Sequence, residues 1–472
     1  MNMKISIIIL LLLTTACQPS QVPIDNHNHA TLVQEQEPGP NQALISIFLA
    51  VPPSGDLDVV MDLQRLEILN GDVWLPILDE VRHLEALEIG KGQIFLARAV
   101  LEPGNYSHLR VTLAGASMKT SLGQQPLNLT ETSYEYSFPN SLELGKGDSD
   151  SLFISWDPFQ SIMAGDRFSP MISIANQSIP LNKDLAYVAC PKINTIYILD
   201  TEKNRIVGSW SVPGHPTDIS LFQDRLELFV LSPDQGVIRV IEVPTGRIKD
   251  VIKLPMVMKP SFMLISPDAD SAFVLDEKSD MLYHFDLGSG SLSASLAMGD
   301  KPEYVEYIAD SGRLAVSSPE SGKVFLVETA GLSIVDTISL SGAPDGLLAH
   351  GDFLYIAEMR GNAVAEYSLS TGQIRRIFVG RTPKRLLAGE GYIYVANHGQ
   401  GSVSLFQSGR GTISRSLRTG GAPLEMAVSL AREWIYVCDQ RGGVIDVIDL
   451  TTKKYVGHID LMAEPSGIAM SH

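Results

Sequence analysis

Three groups of residues have the types and spacing to do chemistry. The first lies in the second half of the chain, at one phase of a recurring pattern: Asp218, Tyr304, Arg385 and Glu425 each stand two residues after a recurring proline. The second, Asn397, His398, Asp439 and Arg441, falls in turns that follow a Tyr-Val pair. The third is Cys17 alone, preceded by Ala16 and a short apolar run. Oxygen donors such as Asp218, Asn397, Glu425 and Asp439 could converge on a divalent cation. A hydrolase with an activated serine is disfavoured, because no G-x-S-x-G occurs and neither His215 nor His398 has an evident nucleophile partner. Both histidines read as loop residues. The remaining candidates are mixed in charge and differ from copy to copy, which on a rigid scaffold suits recognition better than catalysis.

These positions are set by an internal repeat. Pro216, Pro260, Pro302, Pro344, Pro383, Pro423 and Pro465 recur every 39 to 44 residues. An aromatic-aliphatic pair follows in phase: Phe229-Val230, Phe273-Val274, Tyr355-Ile356, Tyr394-Val395 and Tyr436-Val437, with Ala315-Val316 a degenerate copy. Four short apolar strands per period of this length predict a seven-bladed β-propeller over residues 184–472. The expected rim of its central channel comprises Asp218, Tyr304, Arg385, Glu425, Asn397, His398, Asp439 and Arg441.

The unit YIYVANHGQGSVSLFQSGRGTISRSLRTGGAP, from Tyr392 to Pro423, resembles the YVTN-type repeat of bacterial surface and periplasmic propellers. So does WIYVCDQRGGVIDVIDLTTKKYVGHIDLMAEP, which ends at Pro465. The resemblance implies the fold; related groups such as the NHL proteins, lactonases and streptogramin lyases differ widely in function. Trp-Asp repeats, quinone-site tryptophan motifs and Cys-x-x-Cys-His are absent from the sequence, and no cofactor is expected.

The repeat region starts at a second-strand motif, Tyr187-Val188, and stops after a first-strand motif at Pro465. The last residues are therefore expected to complete the first unit. The competing expectation gives that place to Met171–Ala175. Cys190 and Cys438 fall on the second strands that meet at this closure, at offsets within the repeat that differ by one residue, and both are expected as buried thiols rather than a disulfide.

Residues 43–178 have a different texture. Short alternating strands between Gly, Pro and Asn turns predict a β-sandwich, from Ala43–Val51 and Asp58–Leu69 through to Met171–Ala175. Leu101-Glu-Pro-Gly-Asn-Tyr-Ser-His-Leu-Arg-Val-Thr-Leu113 resembles a prealbumin-like domain near the front of bacterial lipoproteins, which implies fold and compartment only. Residues 176–186 read as a linker between separable domains. A solvated turn is the reading for Asp148 and Asp150, where the spacing of a calcium loop is missing.

Met1–Leu13 carries one lysine and a run too short to span a bilayer, so residues 1–16 read as a signal peptide. Thr14-Thr15-Ala16-Cys17 resembles a lipobox, with Thr14 where the family favours leucine, and implies lipidation at Cys17. Gln18 after it resembles an outer-membrane sorting signal. Residues 17–42, including His27 and His29, read as a flexible tether. The net charge of −18 argues against a nucleic-acid partner. Residues 18–180 hold 8 basic and 20 acidic side chains, so the N-terminal half carries most of this charge. The sequence thus predicts an all-β, lipid-anchored protein of the bacterial cell envelope that binds a protein or small-molecule ligand. A lactonase-like hydrolase or lyase is the alternative.

Overall fold

A computed structural model describes residues 38–471, apart from residues 40, 53–57, 91, 122, 165 and 181–182. Cys17, the signal peptide and most of the tether lie outside the described residues. No helix among the described residues is long and apolar enough to cross a membrane.

Two sheets precede the repeats. One has four strands, in the order Met171–Asn176, Ser149–Asp157, Ala43–Ala50 and Gln93–Leu101. The other has eight, built around the long strands Asp58–Asn70 and Gly104–Thr120. Their facing sides share one apolar core that includes Ile45, Ile47, Leu66, Leu109, Val111 and Trp156. Arg82–Glu85 and Gly123–Leu129 are strands that alternation does not reveal. The latter reads GQQPLNL, which has no apolar face for most of its length.

Seven four-stranded antiparallel sheets follow, one per repeat. Six are continuous in sequence, from Ile219–Phe222 to Lys454–Asp460. Pro260, Pro344, Pro383 and Pro423 each open a first strand, where a missing N–H costs no ladder bond. The first strand of each sheet touches the first strand of the next around a closed ring.

The remaining sheet combines Leu185–Cys190, Thr195–Asp200 and Arg205–Ser211 with the C-terminal strand Gly467–Met470. In its register Ala186 faces Met470 and Ala189 faces Gly467. The C-terminus thus completes the first repeat. Met171–Asn176 instead pairs antiparallel with Ser149–Asp157, which excludes it from the ring.

The aromatic of the repeat marker links neighbouring sheets. Tyr355 is fully buried and its hydroxyl lies 2.7 Å from Ser408 Oγ in the next sheet. Tyr436 donates across the closure to the Thr201 carbonyl at 3.1 Å and to Asn204 Oδ1 at 2.6 Å. Cys190 and Cys438 are not joined in a disulfide and are buried in one core with Tyr436, Tyr197 and Met470. Burial pushes the Cys438 thiol well above its ordinary pKa, which keeps it unreactive.

That core does not stop at the repeats. Strand Ala43–Ala50 is covered on both faces. Ala43, Ile45, Ile47 and Leu49 face the eight-stranded sheet, while Leu44 and Phe48 pack with residues of the first and last repeats. Buried hydroxyl pairs line the same face: Ser46 with Tyr197 at 2.8 Å, Ser149 with Thr195 at 2.9 Å, and Ser151 with Ser209 at 2.9 Å. The reading of a simple linker between independent domains left this contact out. The strand reads ALISIFLA, a nearly continuous apolar run of the kind that is covered on both faces.

Candidate functional site

The channel is lined by the first strands and the residues leading into them. Arg385 is its centre. Its guanidinium is buried and bonds the carboxylates of Glu425 in the following sheet and Asp345 in the preceding one. The same group lies 4.6 Å from the centre of the Tyr304 ring, within cation–π range. Tyr304 in turn contacts Phe262, with ring centres 4.3 Å apart. Desolvation works against the Arg385 charge, but Asp345 and Glu425 outweigh it and raise its pKa.

Carboxyl groups outnumber this cation. Asp218 Oδ2 accepts the Met263 N–H at 2.9 Å and Glu306 Oε1 accepts the Ala349 N–H at 3.0 Å, each tying one first strand to its neighbour. Burial, then the charge of Glu425, pushes Asp218 up to about 8. Burial also pushes Glu306 up to about 7 and raises Glu303, the latter helped by Asp345. Tyr304 stays a neutral phenol because burial drives its pKa well up. These groups can bind a cation, donate protons from neutral carboxyls, or anchor a polar partner.

Two glycines let the strands approach. A Cβ on Gly346 would lie 2.0 Å from the Lys384 carbonyl oxygen, and one on Gly467 would lie 2.5 Å from the Thr217 carbonyl oxygen. Only glycine permits either contact without moving the backbone.

The sequence-based rim divides into two sets. Asp218, Tyr304, Arg385 and Glu425 converge on the channel. Asn397 and Asp439 do not form an accessible rim, since both are completely buried. Asp439 Oδ1 accepts the N–H groups of Ala422 at 2.8 Å and Gly442 at 2.9 Å. Asn397 donates to Ser402 Oγ at 3.2 Å and Ser404 Oγ at 2.8 Å. Each ends a second strand; Asp439 satisfies backbone groups of the adjoining loops, as Asp276 does for Met258 and Lys259, while Asn397 bonds serine hydroxyls on the neighbouring strand. The correction has a simple cause: a polar residue at a strand end is equally suited to bonding the backbone of the adjacent turn.

His398 is half-buried, 3.4 Å from Gln440 Oε1. Its pKa is lowered by burial and then by Lys384. Arg441 is exposed. Among the described residues no group of three His, Cys, Asp or Glu side chains is arranged to hold a metal ion.

Asp345 and Glu306 escaped the sequence reading. Glu306 was recoverable, since it shares a strand face with Tyr304 two residues earlier. Asp345 was not, because it stands one residue after its proline rather than two, off the phase that picked out Asp218, Tyr304, Arg385 and Glu425.

No family model matches the chain, and no curated protein matches it. Solved structures do resemble it. A functionally unknown protein from Desulfotomaculum acetoxidans is 15% identical with a TM-score of 0.54, covering 61% of this chain and 99% of its own. A putative 6-phosphogluconolactonase from Bacteroides fragilis is 13% identical with a TM-score of 0.53, covering 63% and 100%. A protein from Lactobacillus plantarum is 16% identical with a TM-score of 0.51, covering 61% and 99%. At these identities the likeness speaks for the fold alone, and that fold is a β-propeller.

Proposed function

We propose that the chain is a lipid-anchored binding protein of the bacterial cell envelope, held through Cys17. In this reading the two N-terminal sheets form a β-sandwich, the seven repeats are the blades of one propeller, and the channel mouth around Arg385 recognises a ligand or partner protein. The observation that carries it is the Arg385 cluster. Six side chains from five repeats, two Asp, two Glu, one Arg and one Tyr, are held in place by cross-strand contacts rather than left to move. Carboxyls exceed cations there, so the fitting partner presents basic groups.

A second reading is a propeller-fold hydrolase or lyase. Asp218 and Glu306, held at about 8 and about 7, have the proton affinity of general acids near neutral pH. A phosphorylated substrate such as the name of the Bacteroides fragilis protein implies would meet repulsion from Glu303, Asp345 and Glu425.

Membrane capture with the anchored protein tests the first reading. It expects a partner retained by the natural chain and lost with Glu425→Lys, and release from the membrane fraction with Cys17→Ser. Turnover of a lactone that disappears with Asp218→Asn would decide for the second.

A further inference from the structure

The last repeat buries two acids completely, Asp439 and Asp446. Asp439 ends the second strand of its sheet, Trp434–Asp439, and Asp446 is the third residue of the third strand, Val444–Asp449. Asp446 faces Val437 in the register, so the two acids are diagonal neighbours on one face. That face packs through Val437 and Ile448 on Val403, Leu405 and Leu417 of the preceding repeat, all apolar. The same two places in the preceding repeat are held by Asn397 and by Ser404, which faces Val395. There the Asn397 amide donates to Ser404 Oγ at 2.8 Å. One repeat earlier Glu358 has the strand-end place, and Arg376 of the outer strand donates to it at 2.6 Å.

In the last repeat Asp446 meets Asp439 within hydrogen-bond reach, yet Asp439 Oδ2 and Asp446 Oδ2 have no donor among the described residues. The other two oxygens are occupied. Asp439 Oδ1 accepts the N–H groups of Ala422 and Gly442, and Asp446 Oδ1 accepts the Tyr455 hydroxyl at 3.0 Å. From the same outer strand His458 lies 3.2 Å from the Tyr455 hydroxyl and 3.3 Å from Asp460, which raises its pKa. Burial, then the charge of Asp439, drives the Asp446 carboxyl well above the carboxylate range. Two adjacent buried carboxylates repel and lack solvation. One proton between them makes one a donor and the other its acceptor, the relation that Asn397 and Ser404 reach with an amide.

We infer that Asp439 Oδ2 and Asp446 Oδ2 share one proton, and that this proton fixes the entry to a channel-lining strand. The link is Asp439 Oδ1, which holds the Ala422 N–H three residues before Glu425, the partner of Arg385. Gly421 leaves no room for a Cβ against the Asp439 carboxyl, so the loop lies directly on it. When the proton passes to water at alkaline pH, two carboxylates remain. Their repulsion parts them and draws Asp439 away from Ala422. The arrangement around Arg385 is thereby set by a titration outside the channel, and this stands whether or not the channel binds a partner.

Infrared spectra and amide exchange of the full chain in detergent test this with two variants. Asp446→Asn keeps a donor toward Asp439 but has no titrating proton. Asp439→Asn combined with Asp446→Ser copies the preceding repeat. At neutral pH the natural chain should show one protonated-carboxyl band more than either variant. Protection of the Ala422 amide should fall about tenfold or more between about pH 6 and about pH 10, the size of one or more pK units of coupling. The amides of Val403–Leu405 should keep theirs. Both variants should protect Ala422 equally at the two pH values, whereas Asp150→Asn, in the N-terminal sheet, should behave as the natural chain does. Melting curves establish that each variant is folded. No difference in the carboxyl band, Ala422 protection that does not change with pH in the natural chain, or a fall that persists in folded Asp446→Asn would overturn the inference.

Discussion

Arg98 of the N-terminal sheets lies 2.9 Å from the hydroxyl of Tyr197 in the first repeat, and the same guanidinium spans the closure of the ring. It donates to the carbonyls of Leu461 and Met462, both at 2.8 Å, in the segment that leaves the last repeat for the C-terminal strand. One side chain therefore holds both sides of the junction. Lys192 with Glu464 at 2.6 Å and Arg432 with Glu202 at 3.2 Å cross the same boundary from the repeats themselves.

Arg98→Ala is expected to destabilise the protein by about 2–4 kcal/mol, since hydrogen bonds from a charged group contribute roughly 1.5–3 kcal/mol each and do not add fully. Amide exchange should accelerate first at Leu461–Met470, while the strand Tyr392–Asn397 on another repeat stays protected. Uniform acceleration everywhere would show that Arg98 has no particular hold on the closure.

Deleting residues 465–472 should be far more damaging than their number suggests. Met470 leaves the core, at roughly 1.5–3 kcal/mol for a buried side chain, the partly buried Ile468 leaves with it, and the first repeat loses its inner strand. Domain stability is typically about 5–15 kcal/mol, so aggregation or a much lower melting temperature is expected. Melting of the truncated chain at the natural temperature would contradict the pairing of Gly467–Met470 with Leu185–Cys190.

Stability should fall as pH rises from about 4 to about 8. Asp150 is pushed up to about 6, Glu306 to about 7 and Asp218 to about 8, in each case chiefly by burial. A carboxyl with a folded pKa above its unfolded one binds more protons when folded. Its favourable contribution is complete below the unfolded value and is lost as pH climbs through the folded value. Thermal melts across this range should show the decline, and Asp218→Asn should flatten its upper part. A melting temperature that rises steadily between these limits would refute the assignment.

Arg385→Met should cost about 3–5 kcal/mol, because Asp345 and Glu425 would lose their buried partner. Urea unfolding of the double variant with Asp345→Asn should recover part of this loss. Equal destabilisation in single and double variants would mean that Asp345 and Arg385 are not coupled.

The repeats were legible because two markers coincide: prolines open strands and aromatics wedge between sheets, each for a backbone or packing reason that recurs. Arg385, Glu425, Tyr304 and Asp218 followed from that phase. Asn397 and Asp439 were misplaced because strand-end polarity is used internally here, by Asp439 for loop amides and by Asn397 for serine hydroxyls on the next strand. The double coverage of Ala43–Ala50 was legible in its nearly continuous apolar run, but what covers it was not. Ser46 and Leu44 sit against hydroxyls and side chains supplied by residues far away in sequence, and no local pattern encodes such a neighbour.

The pairing of Ala186 with Met470 also orders events in time. The first repeat emerges from synthesis with three of its four strands and must wait for nearly the whole remaining chain before its innermost ladder can form. Contacts so distant along the chain form slowly. During that interval the open edge of Leu185–Cys190 is exposed to any other extended segment. A protein with this topology is therefore most vulnerable just before Gly467–Met470 is made, and a chaperone that shields strand edges would act on it at that moment.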